Sequence, residues 1–209
     1  MNSKEIRDRK SKLSLTKEQK DVLVGLLLGD GHLETQNGGK TFRLKIEHGC
    51  SQIDYENHVY KLFKNWTVNK PKVKMRNSKP ASVWFTTFSH GLLRFYGQQF
   101  YLEGKKRVPP LLEKMITEKS LAFWFMDDGS RKSSKHLTYN IHTLGYKHQD
   151  QKILQGILKR KFNLTTRLHK QKGKYWRIYI PSESAKRFKV LVEPFIIPSM
   201  KYKLGNTNA

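Results

Sequence analysis

The sequence predicts an α+β protein built as two similar halves, each mixing helices with antiparallel strands. Three observations carry this. Apolar residues recur at helical spacing in some segments and alternate with polar ones in others. The order helix, strand, helix, hairpin, helix runs through the chain twice. Matched residues also keep a steady offset, Asp30 and Asp128 lying 98 positions apart and Lys106 and Lys203 lying 97 apart. Order and offset together signal duplication better than local identity, which is low.

Residues 1–13 are mostly charged and read as a basic, mobile N-terminal arm. The first half then runs over 14–113 and the second over 114–209. Thr16 caps a helix predicted from about 17 to 30, with Gln19 as its capping-box partner. Val22, Leu23, Leu26 and Leu27 form its apolar stripe, and Gly31 is its expected stop. In TFRLKIEH, Phe42, Leu44 and Ile46 alternate with polar residues, as a half-buried strand requires. DYENHVYKLFKNW reads as a helix. In NKPKVKMR, Lys70, Lys72, Lys74 and Arg76 share one face of an extended chain. ASVWFTTF is a strand, and HGLLRFYGQQFY a helix broken by GKKRVPP. The second half repeats the series. ITEKSLAFWFMDDG is a capped apolar helix, HLTYNIHTL a strand and HQDQKILQGILKRKF an amphipathic helix. TTRLHKQ and KYWRIYI make a basic hairpin, and SESAKRFKVLVEPF a last helix. The periodicity does not fix how the strands pair.

Charge narrows the partner. There are 41 Lys and Arg against 17 Asp and Glu, a formal +24. Such an excess repels itself in a compact fold, and a polyanion relieves it by releasing phosphate counterions. Because the charge is spread along the whole chain, nucleic acid fits better than an anionic lipid surface. One cysteine excludes an internal disulfide framework and points to a reducing, intracellular compartment. The charged start has no apolar run behind it, so no secretory leader is expected. No apolar stretch reaches the ~18 residues a membrane span needs. His48 with Cys50 is too few ligands for zinc, and neither a P-loop nor a nucleophile elbow occurs.

The two apolar helices carry the chemistry. Each ends in an aspartate, Asp30 or Asp128, just before a glycine. A negative side chain at a helix C-terminus opposes the macrodipole, and two such violations at matching places suggest function. A hard cation would reverse the penalty, and carboxylates with helix-end carbonyls suit Mg²⁺. Gly25 and Gly29, one turn apart, let another backbone come close. Helices packed there would bring both carboxylates to one end. The bland alternative is a pair of core helices with solvated aspartate caps.

LVGLLLGDG (23–31) and LAFWFMDDG (121–129) resemble the two copies of the motif that names the LAGLIDADG homing-endonuclease family. GKKRVPP (104–110), MKYKLGNT (200–207) and the element order are similar to its single-chain branch over about residues 15–207. The resemblance implies two αββαββα halves, motif helices at their interface and a saddle of antiparallel sheet over the DNA major groove. It implies a monomer that makes a double-strand break at a long asymmetric site, using two or three divalent ions, normally Mg²⁺. By the motif's eighth position, Asp30 and Asp128 bind metal. The Gly29 and Asp127 carbonyls are further candidates. The Asp127 side chain competes with that of Asp128, about 100° round the helix, and alignment on Gly129 favours Asp128. Lys106 and Lys203 match the lysines near the scissile phosphates, where each would steady phosphate charge or orient water. Their neighbours Lys105 and Lys201 are easily confused with them, and the ordinary role of any single lysine here is a solvated charge.

Phe123 and Asp127 stand where the first copy has Gly25 and Gly29, so the helix pair is not symmetric, and unequal nicking of the two strands is expected. A β-ribbon fits the major groove. Expected contacts are Arg43, Lys45, Lys70, Lys72, Lys74 and Arg76 from the first half. The second half offers Asn140, His142, Arg167, His169, Arg177 and Tyr179. Family members are often intron-encoded in organelles or microbes. Some act as RNA maturases in intron splicing or as DNA-binding regulators, which is the alternative function here; intron RNA is then a further partner.

Overall fold

The computed structural model describes residues 4–133, 135–171, 173 and 175–205. The helices are α1 (Lys4–Ser11), α2 (Lys17–Leu28), α3 (Ile53–Leu62), α4 (Arg94–Phe100), α5 (Leu112–Met115), α6 (Glu118–Asp128), α7 (His148–Phe162) and α8 (Ser182–Val192). The strands are β1 (His32–Glu34), β2 (Arg43–Gly49), β3 (Lys72–Arg76), β4 (Lys79–Thr86), β5 (Tyr101–Leu102), β6 (Lys105–Lys106), β7 (Gly129–Arg131), β8 (Tyr139–Ile141), β9 (Arg167–Gln171) and β10 (Tyr175–Ile180). From α2 to α4, and again from α6 to α8, the order is αββαββα. The sheets are antiparallel, β1-β2-β4-β3 and β7-β8-β10-β9. Both halves thus follow the expected plan. The strands that sequence reading missed, β1, β7 and the hairpin pair β5 and β6, are two or three residues long, too short to show a period.

Two further departures have plain causes. The expected mobile arm is helical over Lys4–Ser11 and docked: the Arg9 guanidinium lies over the Phe88 ring, 5.7 Å from its centroid. Residues 1–3 of that arm, and 206–207 of the second lysine segment, lie outside the described residues. The first motif helix stops at Leu28 rather than near 30, because Gly29 leaves the helical region at φ −95°, ψ −128°. That turn frees Asp30 from the helix and starts β1.

The motif helices α2 and α6 pack directly on each other at the centre of the core. Both open with a capping box, Thr16 with Gln19 and Thr117 with Ser120. Ser120 Oγ also donates to the Asp21 carbonyl across the interface at 2.8 Å. The asymmetry read in the motifs is steric complementarity. A Cβ on Gly25 would meet Phe123 Cβ at 2.7 Å and press on the Ser120 carbonyl. A Cβ on Gly29 would lie 2.5 Å from Asp127 Cβ. Each glycine therefore faces the larger residue at the matching place of the other helix. Gly25→Ala, forcing apart two buried backbones, is expected to cost about 3 kcal/mol and to lower Tm by roughly 2–4 °C per kcal/mol. Gly91→Ala, which meets nothing within 4 Å, is the control. Thermal melts of the two variants decide this; equal Tm values would refute close packing at Gly25.

Alternation along the strands puts Leu33, Leu44, Ile46 and Phe85 into the core and leaves the other face polar. On that face His32 pairs with Lys45, Lys45 with Thr86, and Glu47 with Trp84, which pairs with Lys72. In the second sheet Ser130 pairs with Asn140, Asn140 with Tyr179, and Tyr179 with Arg167.

Candidate active site

Asp30 leaves the end of α2 and Asp128 closes α6, so the packing of the two helices brings the carboxylates to one end of the interface. A cavity of about 300 Å³ opens there, lined by Gly29, Lys106, Asp128, His142 and Tyr146. Tyr146 ties the halves together by donating to the Leu28 carbonyl at 3.1 Å.

The lysines singled out by their offset both reach this point. Lys106 comes from the short β5–β6 hairpin, whose turn uses Glu103 and Gly104 at φ 50° and 75°. Its Nζ donates to the Gly29 carbonyl at 2.6 Å. Lys203 comes from the 3-10 helix Pro198–Leu204, and its Nζ donates to the carbonyls of Met126 and, at 2.9 Å, Asp127. Each lysine thus caps the motif helix of its own half, where the dipole favours a cation. Burial lowers both lysine pKa values, opposed by Asp127, Asp128 and Asp30. The Gly29 and Asp127 carbonyls, candidate ligands by sequence, therefore accept from ammonium groups; each oxygen keeps a second lone pair.

The carboxyls are crowded. Burial raises the Asp128 pKa to about 8, with Asp127 and Asp30 adding repulsion and Lys106 opposing. Asp30 has a solvent-facing edge, yet the packing around its carboxyl raises its pKa, with Asp127 second. A raised folded-state pKa stabilises the fold at low pH, and that stability is lost as pH climbs from the ordinary carboxyl value of 3.8 through about 8. Without divalent metal, Asp128→Asn should melt higher than the native protein by a margin that grows over this window and levels above it. The margin is on the order of 2 kcal/mol. Melts in EDTA across pH test this, and a flat margin would contradict it.

Sequence reading missed one part of the site. Asp127, a competitor for the metal position, points away from that of Asp128 and into the first half. Its Oδ1 accepts from Tyr55 Oη at 2.7 Å and lies 3.5 Å from His48 Nε2, an ion-pair contact without hydrogen-bond geometry. Its Oδ2 accepts from the Asp30 backbone N–H at 2.9 Å. Behind it His48 Nδ1 meets Glu56 Oε2 at 2.5 Å. Burial opposes charge on His48, but the nearby Asp127 and Glu56 carboxylates prevail and raise its pKa to about 10. The missed signal was His48 itself, which takes the next core-facing place after Phe42, Leu44 and Ile46 where an apolar residue belongs.

The expected groove contacts divide. Arg43 and Lys45 on β2, and Lys72 and Lys74 on β3, stand on the polar face of the first sheet. Lys70 precedes β3, and Arg76 follows a bulge after Lys74, so the four residues of NKPKVKMR do not form one regular row. In the second sheet Arg167, His169, Arg177 and Tyr179 share the polar face, His169 stacking on Tyr179 at 4.2 Å. Asn140 lies on this face but is only 3% exposed, and its Oδ1 has no hydrogen-bond partner among the described residues. His142 is half-buried, 3.1 Å from Ser130 Oγ. Missed on the same faces are Glu47, which accepts from Ser82 Oγ at 2.6 Å, and Trp84, with Lys72 Nζ 5.9 Å from its ring.

Comparison with known proteins agrees with this geometry. The family model described as "LAGLIDADG DNA endonuclease family" matches residues 20–188. A "Probable intron-encoded endonuclease 1" of Wickerhamomyces canadensis is 36% identical, covering 97% of this chain and 91% of that protein. "DNA endonuclease I-ChuI" of Chlamydomonas applanata is 31% identical over 94% of this chain and 98% of its own. The solved structure of "The homing endonuclease I-WcaI bound to its DNA recognition sequence" superposes with a TM-score of 0.90 at 35% identity, over 97% of this chain and 93% of that one.

Proposed function

The chain belongs to the LAGLIDADG DNA endonuclease family, and from that premise we propose how this site-specific homing endonuclease recognises and cuts DNA. One observation carries the proposal: a carboxylate and a lysine from each half, Asp30 with Lys106 and Asp128 with Lys203, meet at the joined ends of α2 and α6. Each half also contributes one four-stranded sheet with a polar face.

The residues present fit divalent metal. All the candidate donors are oxygens, suited to Mg²⁺, and burial with mutual repulsion holds the carboxyls' pKa values up, a strain that a dication relieves. Asp30 and Asp128 would hold it, with the carbonyls of Gly29 and Asp127 as nearby acceptors. Bound there, it would supply Lewis-acid stabilisation and a nucleophile at neutral pH. The lysines do the rest. They hold both helix-end carbonyls beside the carboxylates, and their remaining N–H groups would steady phosphate charge or orient water.

The polar faces bind the double helix. Lys72, Lys74, Arg76, Lys70 and Arg167 are exposed and hold phosphate; Arg43, Lys45, Arg177, His169 and Tyr179, half-buried on the sheets, read base edges. Lys45 and Asn140 occupy matching places, each paired with the first strand of its sheet. A lysine suits guanine and an asparagine adenine, so the target is asymmetric. Asn140 must emerge from cover to serve. One chain supplies both carboxylates, so the enzyme works as a monomer, on DNA inside an organelle or microbial cell. The halves divide at 14–113 and 114–209. Among the described residues no helix is long and apolar enough to cross a membrane.

A second reading rests on the "Cytochrome b mRNA maturase bI2" of Saccharomyces cerevisiae, 32% identical over 88% of this chain, which spans about half of that protein. The basic surface would then also hold intron RNA. Splicing that survives replacement of both aspartates would support it.

The test is incubation with a randomised duplex library and Mg²⁺, followed by sequencing of cut ends. The expected result is one long asymmetric site cut on both strands. Specific binding without cutting would overturn the proposal in favour of a regulator or maturase.

A further inference from the structure

The most conspicuous polar feature outside the metal position is the buried chain Glu56–His48–Asp127–Tyr55. Glu56 and Tyr55 are 0% exposed and His48 is 3%, and the Asp127 side chain is also fully covered. Two of its atoms, Glu56 Oε1 and His48 Nε2, have no hydrogen-bond partner among the described residues. Burying ionisable groups this way is expensive and weak evidence for stability. The chain crosses the interface: three members come from β2 and α3 of the first half, and Asp127 from α6 of the second. It has no counterpart, since the place matching Asp127 is Gly29, whose missing Cβ leaves the room Asp127 fills. And it ends on the backbone N–H of Asp30.

We propose that Asp127 is a positioning residue, held by Tyr55, His48 and Glu56, and that by accepting the Asp30 N–H it sets the direction in which the Asp30 carboxylate faces the reaction. The inference rests on the assignment of Asp30 proposed above. Two features support positioning over metal binding. Both Asp127 oxygens accept from protein groups, the Tyr55 hydroxyl and the Asp30 N–H, and the Asp127 side chain has no exposed surface. In the trio Asp30, His48 and Asp127, whose ligand atoms lie within 4.8 Å of one another, Asp127 is in this view held by the Asp30 N–H and the Tyr55 hydroxyl instead of by a cation. The device serves one half only, so it also gives the unequal strand cutting expected from the motifs a physical origin. The Asp128 carboxylate has the Trp124 side chain among its neighbours instead.

The experiment compares Asp127→Ala, Asp127→Asn and Tyr55→Phe with Asp30→Asn in the full chain. It records single-turnover cleavage of each labelled strand in Mg²⁺, target affinity in Ca²⁺, and Tm. Asp127→Ala, which leaves the Asp30 N–H without its acceptor, should slow the strand or strands that Asp30→Asn slows by about a hundredfold, the usual effect of misplacing a group by an ångström. Asp127→Asn keeps an acceptor oxygen and should recover most of that loss; Tyr55→Phe should slow the same strand less. Affinity should change by less than about threefold. Asp127→Asn as inactive as Asp30→Asn, with affinity intact, would make Asp127 a metal ligand and overturn the proposal. So would an Asp127→Ala variant that cuts normally, or one that loses affinity and Tm with its cleavage rate per bound complex unchanged. Normal cutting by Asp30→Asn would overturn the assignment of Asp30, and this inference with it.

Discussion

Asp30→Asn and Asp128→Asn should each slow cleavage by about a thousandfold while still binding the target, an effect of the size seen when one preorganised electrostatic group is removed from an active site. The change is nearly isosteric and removes only the charge that would hold a dication. It should not harm the fold, because both carboxyls are raised in pKa by burial and by their neighbours' charge, and a neutral amide relieves that. Affinity should hold or tighten, since an anion near DNA phosphate is lost. Strand-labelled single-turnover assays in Mg²⁺, with binding measured in Ca²⁺, check this. Cleavage within tenfold of native for either variant would contradict the assignment of that aspartate.

Affinity for the target should fall by about three to five orders of magnitude between 50 and 200 mM salt, the loss expected for ~6–10 phosphate contacts. The chain's +24 is the ground for this, together with the lysines that project from β3, where every residue is exposed. The effect separates into two kinds of residue. Lys72→Ala should reduce the log–log slope by roughly one and weaken all sequences alike, as a phosphate contact does. Arg177→Ala, at a strand centre opposite His169, should instead relax discrimination at one position, by about 1–3 kcal/mol. Titrations at several salt concentrations with target and scrambled duplexes distinguish them. A slope near zero would mean that binding does not rest on the basic faces.

The site was legible in the sequence where a local rule was broken twice at a fixed spacing. Asp30 and Asp128 offend the helix dipole, and Lys106 and Lys203 follow at nearly the same distance; the structure brings all four together. The pairing of Gly25 with Phe123 and of Gly29 with Asp127 was visible only as asymmetry, because what a glycine accommodates is set by the neighbouring helix. The strands β1 and β7 were too short to show a period. The Asn140 position was read correctly as the polar face, but its cover comes from tertiary packing. The chain from Glu56 to Asp127 joins residues about 70 positions apart, Tyr55 and Asp127 being separated by 72, and only its break in alternation at His48 could have been noticed. The docking of α1 depends on Phe88 and His90, remote in sequence.

The central claim is that one carboxylate from each half faces the divalent metal, Asp30 and Asp128, with Asp127 behind them. The most direct measurement is anomalous scattering from Mn²⁺ in crystals of the protein bound to its selected target. The account predicts peaks in contact with the Asp30 and Asp128 carboxylates, beside the Lys106 and Lys203 ammonium groups, and none at the His48 ring. A peak held by His48 and Asp127, or density that leaves Asp128 without a metal, would contradict it.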